Sequence, residues 1–238
     1  MRPLATILTP TYQQTDTLRE LAECIFSQTL ERWRWWICMD GSTPENEAVA
    51  RELAEDSRVT LFSHQTTDEE RKYSYRPAVI YNRLVPLIST LYYIFISDDD
   101  LIELDCLSAL AAALDENPHA SGAVANSQTI LLTGNKWVPQ YKRVRSMDVL
   151  LVRTSAWVEC AAVIPKTHPS SSPSSDRCIG KSLKTIGPFW HVDVELHTHR
   201  ITLSSNSRKR FLVKCRRRKR RWRRDKKRRQ KLERIQRG

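Results

Sequence analysis

Asp98, Asp99 and Asp100 stand in an unbroken row behind the apolar run Leu91-Tyr92-Tyr93-Ile94-Phe95-Ile96 and Ser97. Three carboxylates at the end of a buried segment repel one another, and the low-dielectric core nearby raises the cost of their charge. A hard divalent cation, Mg²⁺ or Mn²⁺, removes that cost, binding through one or two carboxylates and completing its shell with water or phosphate oxygens. In an extended segment Asp98 and Asp100 point to one side and Asp99 to the other. Asp98 and Asp100 are therefore the candidate metal ligands.

Two further polar clusters follow apolar runs. Asp40-Gly41-Ser42-Thr43 closes the aromatic run 33–39, and Thr9-Pro10-Thr11-Tyr12 closes the run 5–8. A carboxylate at position 40 can accept hydrogen bonds from a base N–H or a ribose hydroxyl, and Gly41 permits close backbone approach. Each cluster also has an ordinary alternative: an acidic row can be a solvated loop capping a helix, and Asp-Gly-Ser is a common turn.

The elements that position the clusters decide between these alternatives. Runs 5–8, 33–39, 59–62, 91–96 and 123–126 read as strands. Helices are predicted over 17–28 (capped by Asp16), 45–56, 77–87 and 105–115. Strand and helix alternate, which predicts an α/β domain with a mostly parallel, Rossmann-like sheet flanked by helices. In such sheets ligands bind beyond the carboxyl ends of the strands, so all three clusters are expected to line one crevice. No G-x-G-x-x-G and no G-x-x-x-x-G-K-[ST] occurs, which argues against a dinucleotide-dependent dehydrogenase or a P-loop ATPase.

With these residues in view, the sequence resembles the family 2 glycosyltransferases of the GT-A fold. Thr6-Ile7-Leu8-Thr9-Pro10-Thr11-Tyr12 is similar to the family's first-strand motif, and Ser27-Gln28-Thr29 to the end of its first helix. Cys38-Met39-Asp40-Gly41-Ser42-Thr43 is similar to Val-Asp-Asp-Gly-Ser-Thr, with Met39 in place of the first aspartate. Asn82 sits where the family has an Arg-Asn pair, and Phe95-Ile96-Ser97-Asp98-Asp99-Asp100 resembles the D-x-D element.

The resemblance covers residues 5–126. It implies a UDP-, GDP- or dTDP-sugar donor held by Thr9, Pro10, Thr11, Tyr12, Asp40, Asn82, Asp98 and Asp99, with the metal on Asp98 and Asp100. It also implies inversion at the anomeric carbon and a glycan or lipid-linked acceptor, as in cell-envelope polysaccharide or glycolipid synthesis.

Past residue 126 the likeness thins. Residues 130–132 and 149–152 could be strands, 165–175 is rich in Pro and Ser and reads as a loop, and 183–186, 192–196 and 201–203 are ambiguous. The family's Glu-Asp pair, whose aspartate is the catalytic base, is best matched by Ser175-Asp176. This makes Asp176 the candidate base, with Asp148 and Asp193 behind it. Residues 194–200 resemble a later segment ending Tyr-Arg-x-His. His191, His197 and His199 cluster but lack a fourth ligand at zinc spacing.

The chain divides by charge. Residues 208–238 hold 19 Lys+Arg against 2 Asp+Glu, a net +17; subtracting that from the whole-chain +12 leaves −5 for residues 1–207. The expected organisation is a domain over 1–207, with a nucleotide-sugar half (1–126) and an acceptor half (127–207), followed by a basic tail. A run this basic buries no core. It suits an anionic membrane surface, where Trp222 can sit at the interface, or, alternatively, nucleic acid. The six cysteines include no C-x-x-C pair and read as free thiols. The apolar, uncharged stretch 84–97 has 14 residues, short of the roughly 20 a span needs. A cytoplasmic protein, peripheral on the inner membrane face, is the expectation. Two other readings stay open: a degenerate transferase domain that binds polyanions through its tail, and a nucleotidyltransferase.

Overall fold

The structure is a computed structural model in which residues 2–64, 66–67, 76–133, 136–160 and 175–201 are described. β1 (Ala5–Thr11), β2 (Trp33–Asp40), β3 (Val59–His64) and β4 (Tyr92–Phe95) run parallel, with α1 (Thr15–Phe26) and α2 (Pro44–Leu53) as crossovers and α3 (Arg76–Leu84) ahead of β4. β1, β2 and β4 form because their apolar runs are buried on both faces, as a helix-covered parallel sheet requires; in the edge strand β3 only Val59 is buried. Ile7, Trp35, Ile37 and Ile94 face one layer and Leu8, Trp36, Cys38 and Tyr93 the other. Burying each large side chain contributes about 1.5–3 kcal/mol.

β5 (Leu101–Ile102), α4 (Cys106–Glu116), β6 (Gly122–Thr133), β7 (Lys136–Arg153), α5 (Thr154–Cys160), α6 (Ser175–Leu183) and β8 (Phe189–Ile201) follow. The sheet order is β3-β2-β1-β4-β7-β6-β8-β5. β7 pairs antiparallel with β4 and β5 antiparallel with β8. The α/β class is as expected, but the sheet is mixed, parallel on the β3-to-β4 side and antiparallel where β7 joins β4. Helices cover both faces: α1, α2 and α4 pack on one, α3, α5 and α6 on the other. Among the described residues no helix is long and apolar enough to cross a membrane.

By contacts, the described residues up to 130 form one compact unit with those from 139 to 200. The site lies wholly in this unit. Three details correct the sequence reading. α1 begins at Thr15 with Gln14 at the cap position, so Asp16 sits in the first turn, where its charge still favours the helix dipole. The 130–132 and 149–152 runs belong to the 12-residue β6 and 18-residue β7, and 192–196 to the single strand β8. Of the loop read over 165–175, Ser175 starts α6 and the rest lies outside the described residues.

Candidate active site

β1 lies between β2 and β4, and the chain winds outward from it in both directions. That reversal is a topological switch point, where open α/β sheets bind ligands beyond the carboxyl ends of their strands. The Leu8 carbonyl accepts from Ile96 N–H, so the even-numbered main-chain groups of β1 face β4. Pro10 lies past the last register pair with β4, Leu8↔Phe95, and its missing N–H leaves no ladder bond unmade.

The side chains of this segment are fixed from behind. Thr9 Oγ1 accepts from Trp35 Nε1 at 3.0 Å. Thr11 is hydrogen-bonded to the buried Asn46 side chain at 3.3 Å, and Asn46 N–H is itself held by Thr43, the N-cap of α2. Tyr12 is exposed, and its main-chain N–H donates to Asp98 Oδ2 at 3.3 Å. The first and third polar clusters therefore meet.

The aspartate row is not extended. Asp100 N–H bonds back to the Ser97 carbonyl at 3.1 Å, closing a turn, so the row departs from the extended geometry from which a shared side for Asp98 and Asp100 was read. The Asp100 carboxylate is buried and held by His197 Nε2 at 3.2 Å, His199 Nδ1 at 2.9 Å and Arg200 N–H at 3.1 Å. Burial alone would raise its carboxyl, but the two imidazoles hold it well below the ordinary range. His197 Nδ1 is in turn 2.8 Å from Ser127 Oγ.

Among the described residues neither Asp98 nor Asp99 has an ion pair of this kind, though His199 acts on Asp99 from a distance. Burial pushes the Asp98 carboxyl up to about 7, against hydrogen bonds from Thr11 and Tyr12. Burial, with repulsion from Asp100 and Asp98, pushes Asp99 up to about 8. Both carboxyls are therefore costly to ionise where they stand, whereas Asp100 is engaged by the two imidazoles.

At the end of β2, Asp40 is buried and takes Arg76 through both oxygens, Nε to Oδ2 at 3.1 Å and a terminal nitrogen to Oδ1 at 3.0 Å; Thr66 Oγ1 also bonds Oδ1. Gly41 has φ 69°, a conformation that costs glycine little, and its N–H donates to the His64 carbonyl at 3.0 Å. Ser42 Oγ is buried with no hydrogen-bond partner among the described residues, an acceptor and donor facing no protein group.

The remaining candidates are placed as follows. Asn82 is half-buried in the last turn of α3. Asp176 falls in the first turn of α6, with its side chain outside the described residues. Asp148 accepts from Ser146 Oγ at 3.2 Å. Asp193 accepts from Asn126 Nδ2 at 2.9 Å and is exposed. Among the described residues no three His, Cys, Asp or Glu groups gather around a point that could hold a metal. Sequence reading missed Arg76, and it noted His197, His199 and the 194–200 segment without giving them a role at the aspartate row. The two histidines carried one signal: at i and i+2 on a strand they share a face.

The described fold is shared with solved glycosyltransferases. S. aureus TarS (residues 1–349) in complex with UDP-GlcNAc superposes with a TM-score of 0.66 at 16% identity, over 85% of this chain and 60% of that one. The mannosyltransferase PcManGT from Pyrobaculum calidifontis, in complex with GDP-Man and Mn²⁺, superposes with a TM-score of 0.58 at 13% identity, over 87% and 59%. Protein CgeD of Bacillus subtilis (strain 168) is 23% identical over 124 residues, 52% of this chain and 29% of CgeD. The chain thus spans less than two thirds of each of these proteins. The sequence model of glycosyl transferase family 2 matches residues 6–154. That match takes in β1 to β4, the switch point and all three strand-end clusters, and over more than half of its length the chain is a member of glycosyl transferase family 2.

Proposed function

We propose that this protein transfers a sugar from a nucleotide-diphosphate donor to an acceptor hydroxyl with inversion. The observation that carries the reading is the meeting of Tyr12 and Asp98 at the β1/β4 switch point, beside the buried Asp40–Arg76 pair. Complexes of TarS with UDP-GlcNAc and of PcManGT with GDP-Man and Mn²⁺ support a nucleotide-sugar donor for this chain too.

The donor set fits a hard divalent cation. Two adjacent carboxyls pushed toward neutrality by burial and by repulsion from neighbouring aspartates, Asp100 above all, are oxygen ligands in want of positive charge, and Mg²⁺ or Mn²⁺ needs only one or two of them beside phosphate oxygens. Asp98 and Asp99 would hold it, while Asp100 anchors the turn. When bound, the ion supplies charge neutralisation for the diphosphate leaving group.

The protein's own groups do the rest. Asp40, oriented by Arg76 and Thr66, and Ser42 Oγ offer polar contacts to the base or ribose, and the exposed Tyr12 ring offers a face for stacking. Thr9, Thr11 and Asn82 complete the donor end. Asp176, at the start of α6, takes the proton from the acceptor hydroxyl as it attacks the anomeric carbon; one displacement inverts that centre. The basic segment 208–238 holds the enzyme to an anionic membrane surface, on the cytoplasmic side, where lipid-linked or envelope glycans are built.

The test is a panel of UDP-, GDP- and dTDP-sugars with Mn²⁺ or Mg²⁺, scoring donor binding and sugar release. Asp176→Asn should lower turnover on the order of 100-fold or more with donor affinity unchanged, since a general base contributes about 10²–10⁴-fold. No binding or turnover of any donor would refute the proposal. Pyrophosphate release from a nucleoside triphosphate and a sugar phosphate would make the protein a nucleotidyltransferase instead.

A further inference from the structure

We propose that Arg200 is a positioning residue for the cation site, locking the aspartate turn to α1; this rests on the donor and cation reading above. Arg200 is 1% exposed, although it lies near the end of β8, and it makes no use of the solvent a guanidinium ordinarily seeks. Its groups are spent on two elements instead. Nε donates to the Asp99 carbonyl at 2.5 Å, and its main-chain N–H donates to Asp100 Oδ1 at 3.1 Å. One terminal nitrogen pairs with Glu20, and the other reaches the Thr17 carbonyl at 3.5 Å.

The two elements it joins are the ones whose relation matters. Thr17 and Glu20 lie in the first half of α1, which follows the Thr11-Tyr12 segment by a few residues. Asp99 and Asp100 belong to the turn after β4. Tyr12 N–H and Asp98 close the same junction from the crevice side, and Arg200 closes it from behind. A carbonyl pinned at Asp99 limits rotation of the peptides on either side, so the carboxylates of Asp98 and Asp99 are held in one relative placement before any cation arrives. The planar fork is what allows this. It spans three acceptors at fixed angles, whereas a lysine ammonium on a flexible stem reaches them one at a time. Arg200 itself need touch neither donor nor cation, and residues behind a metal site commonly act in this way.

The experiment measures two affinities on the full-length protein, wild type and Arg200→Lys. One is for UDP or GDP with Mn²⁺; the other is for the corresponding nucleoside without cation, which reads only the Asp40 end of the crevice. Arg200→Lys should weaken the Mn²⁺-dependent affinity by about 10- to 100-fold and leave the nucleoside affinity unchanged. Unchanged Mn²⁺-dependent affinity overturns the proposal, and so does a parallel loss of both affinities, which is what a merely structural residue gives.

Should Arg200→Lys fail to fold, Glu20→Gln decides by the same two readings. Glu20 is half-exposed, so this change leaves no stranded buried charge. A loss of about two- to fivefold, the scale of an exposed pair, confined to the Mn²⁺-dependent affinity supports the proposal, and no change or a parallel loss overturns it. A wild-type protein without any cation-dependent nucleotide affinity refutes the donor and cation reading itself, and the role of Arg200 falls with it.

Discussion

The Tyr12 main-chain N–H donates to the Asp98 carboxylate at 3.3 Å across 86 positions of sequence, joining the chain that leaves β1 to the chain that leaves β4. The bond orients Asp98 from its far side. Asp100, two residues on, is fully engaged by His197, His199 and Arg200. The three aspartates of one row therefore do different work, and substitutions should separate them.

Asp98→Asn and Asp99→Asn should each lower cation-dependent nucleotide affinity by at least the roughly 100-fold seen at the upper end for groups behind a metal, with little change in Tm. Asparagine can still accept from Tyr12, so the turn survives. Asp100→Asn should instead cost about 1.5–3 kcal/mol of stability, the scale of hydrogen bonds to a charged group. At about 2–4 °C per kcal/mol for a domain of this size, that is a clear fall in Tm. Calorimetric titration and thermal unfolding of the three variants check this. Equal behaviour of all three would contradict the division of roles.

Arg76→Leu should be more damaging than its place on a helix suggests. Arg76 and Asp40 are both largely buried, their side chains 12% and 3% exposed. Removing the guanidinium takes from this buried carboxylate the cation that bonds both its oxygens. Breaking such a pair costs about 3–5 kcal/mol, whereas replacing both partners with uncharged groups can be close to neutral. Asp40→Asn combined with Arg76→Leu should therefore recover much of the Tm lost by Arg76→Leu alone. A double variant as unstable as the sum of the singles would show that Arg76 acts through other contacts.

The first half of the fold was legible because β1, β2 and β4 are each an apolar run bounded by a polar cluster, and a parallel sheet buried on both faces writes that pattern into the sequence. β6 and β7 were read only in pieces, at 123–126, 130–132 and 149–152, and the 192–196 run of β8 was left ambiguous. Between and beyond these pieces lie Lys136, Gln140 and Lys142, and Glu195 interrupts 192–196, so no continuous apolar stripe marks the full strands. Partners across long sequence distance were the other blind spot. Nothing near Asp40 points to Arg76, and nothing near Asp100 points to His197 or His199, because closing a sheet brings together residues whose spacing carries no signal. The extended geometry of the aspartate row was misread for a local reason: one hydrogen bond, Asp100 N–H to the Ser97 carbonyl, turns the row into a corner.

Gln28 shows a motif residue whose work is structural. Its amide donates to the Cys24 and Glu103 carbonyls at 3.1 and 2.7 Å, and its Oε1 accepts from Leu107 N–H at 3.0 Å. Leu107 is in the first turn of α4, and the cap residue Asp105 makes no side-chain hydrogen bond there. A glutamine from the end of α1 thus supplies the missing cap. Gln28→Ala should cost about 1–3 kcal/mol, the penalty of unsatisfied buried groups, and leave nucleotide affinity alone. A loss of affinity without a loss of Tm would move Gln28 from scaffold to site.

The last expectation concerns the basic segment. Truncation after Ser207 removes +17 of charge and leaves residues 1–207 at −5, so the sign of the protein reverses. Every side chain assigned to the site, Arg200 included, precedes position 201, and the truncated protein should fold and bind donor as the full chain does. Each basic residue near an anionic leaflet contributes about 1 kcal/mol, and that attraction is screened over roughly 8 Å at physiological ionic strength. The full-length protein should therefore sediment with vesicles rich in anionic lipid at low salt, release steeply as salt rises, and ignore neutral vesicles. The truncated protein should sediment with neither. If the full-length protein binds RNA at physiological salt while anionic vesicles do not retain it, the segment serves nucleic acid and the membrane assignment is wrong. If truncation unfolds the domain, residues beyond 207 pack on the core, and the boundary drawn from charge alone is misplaced.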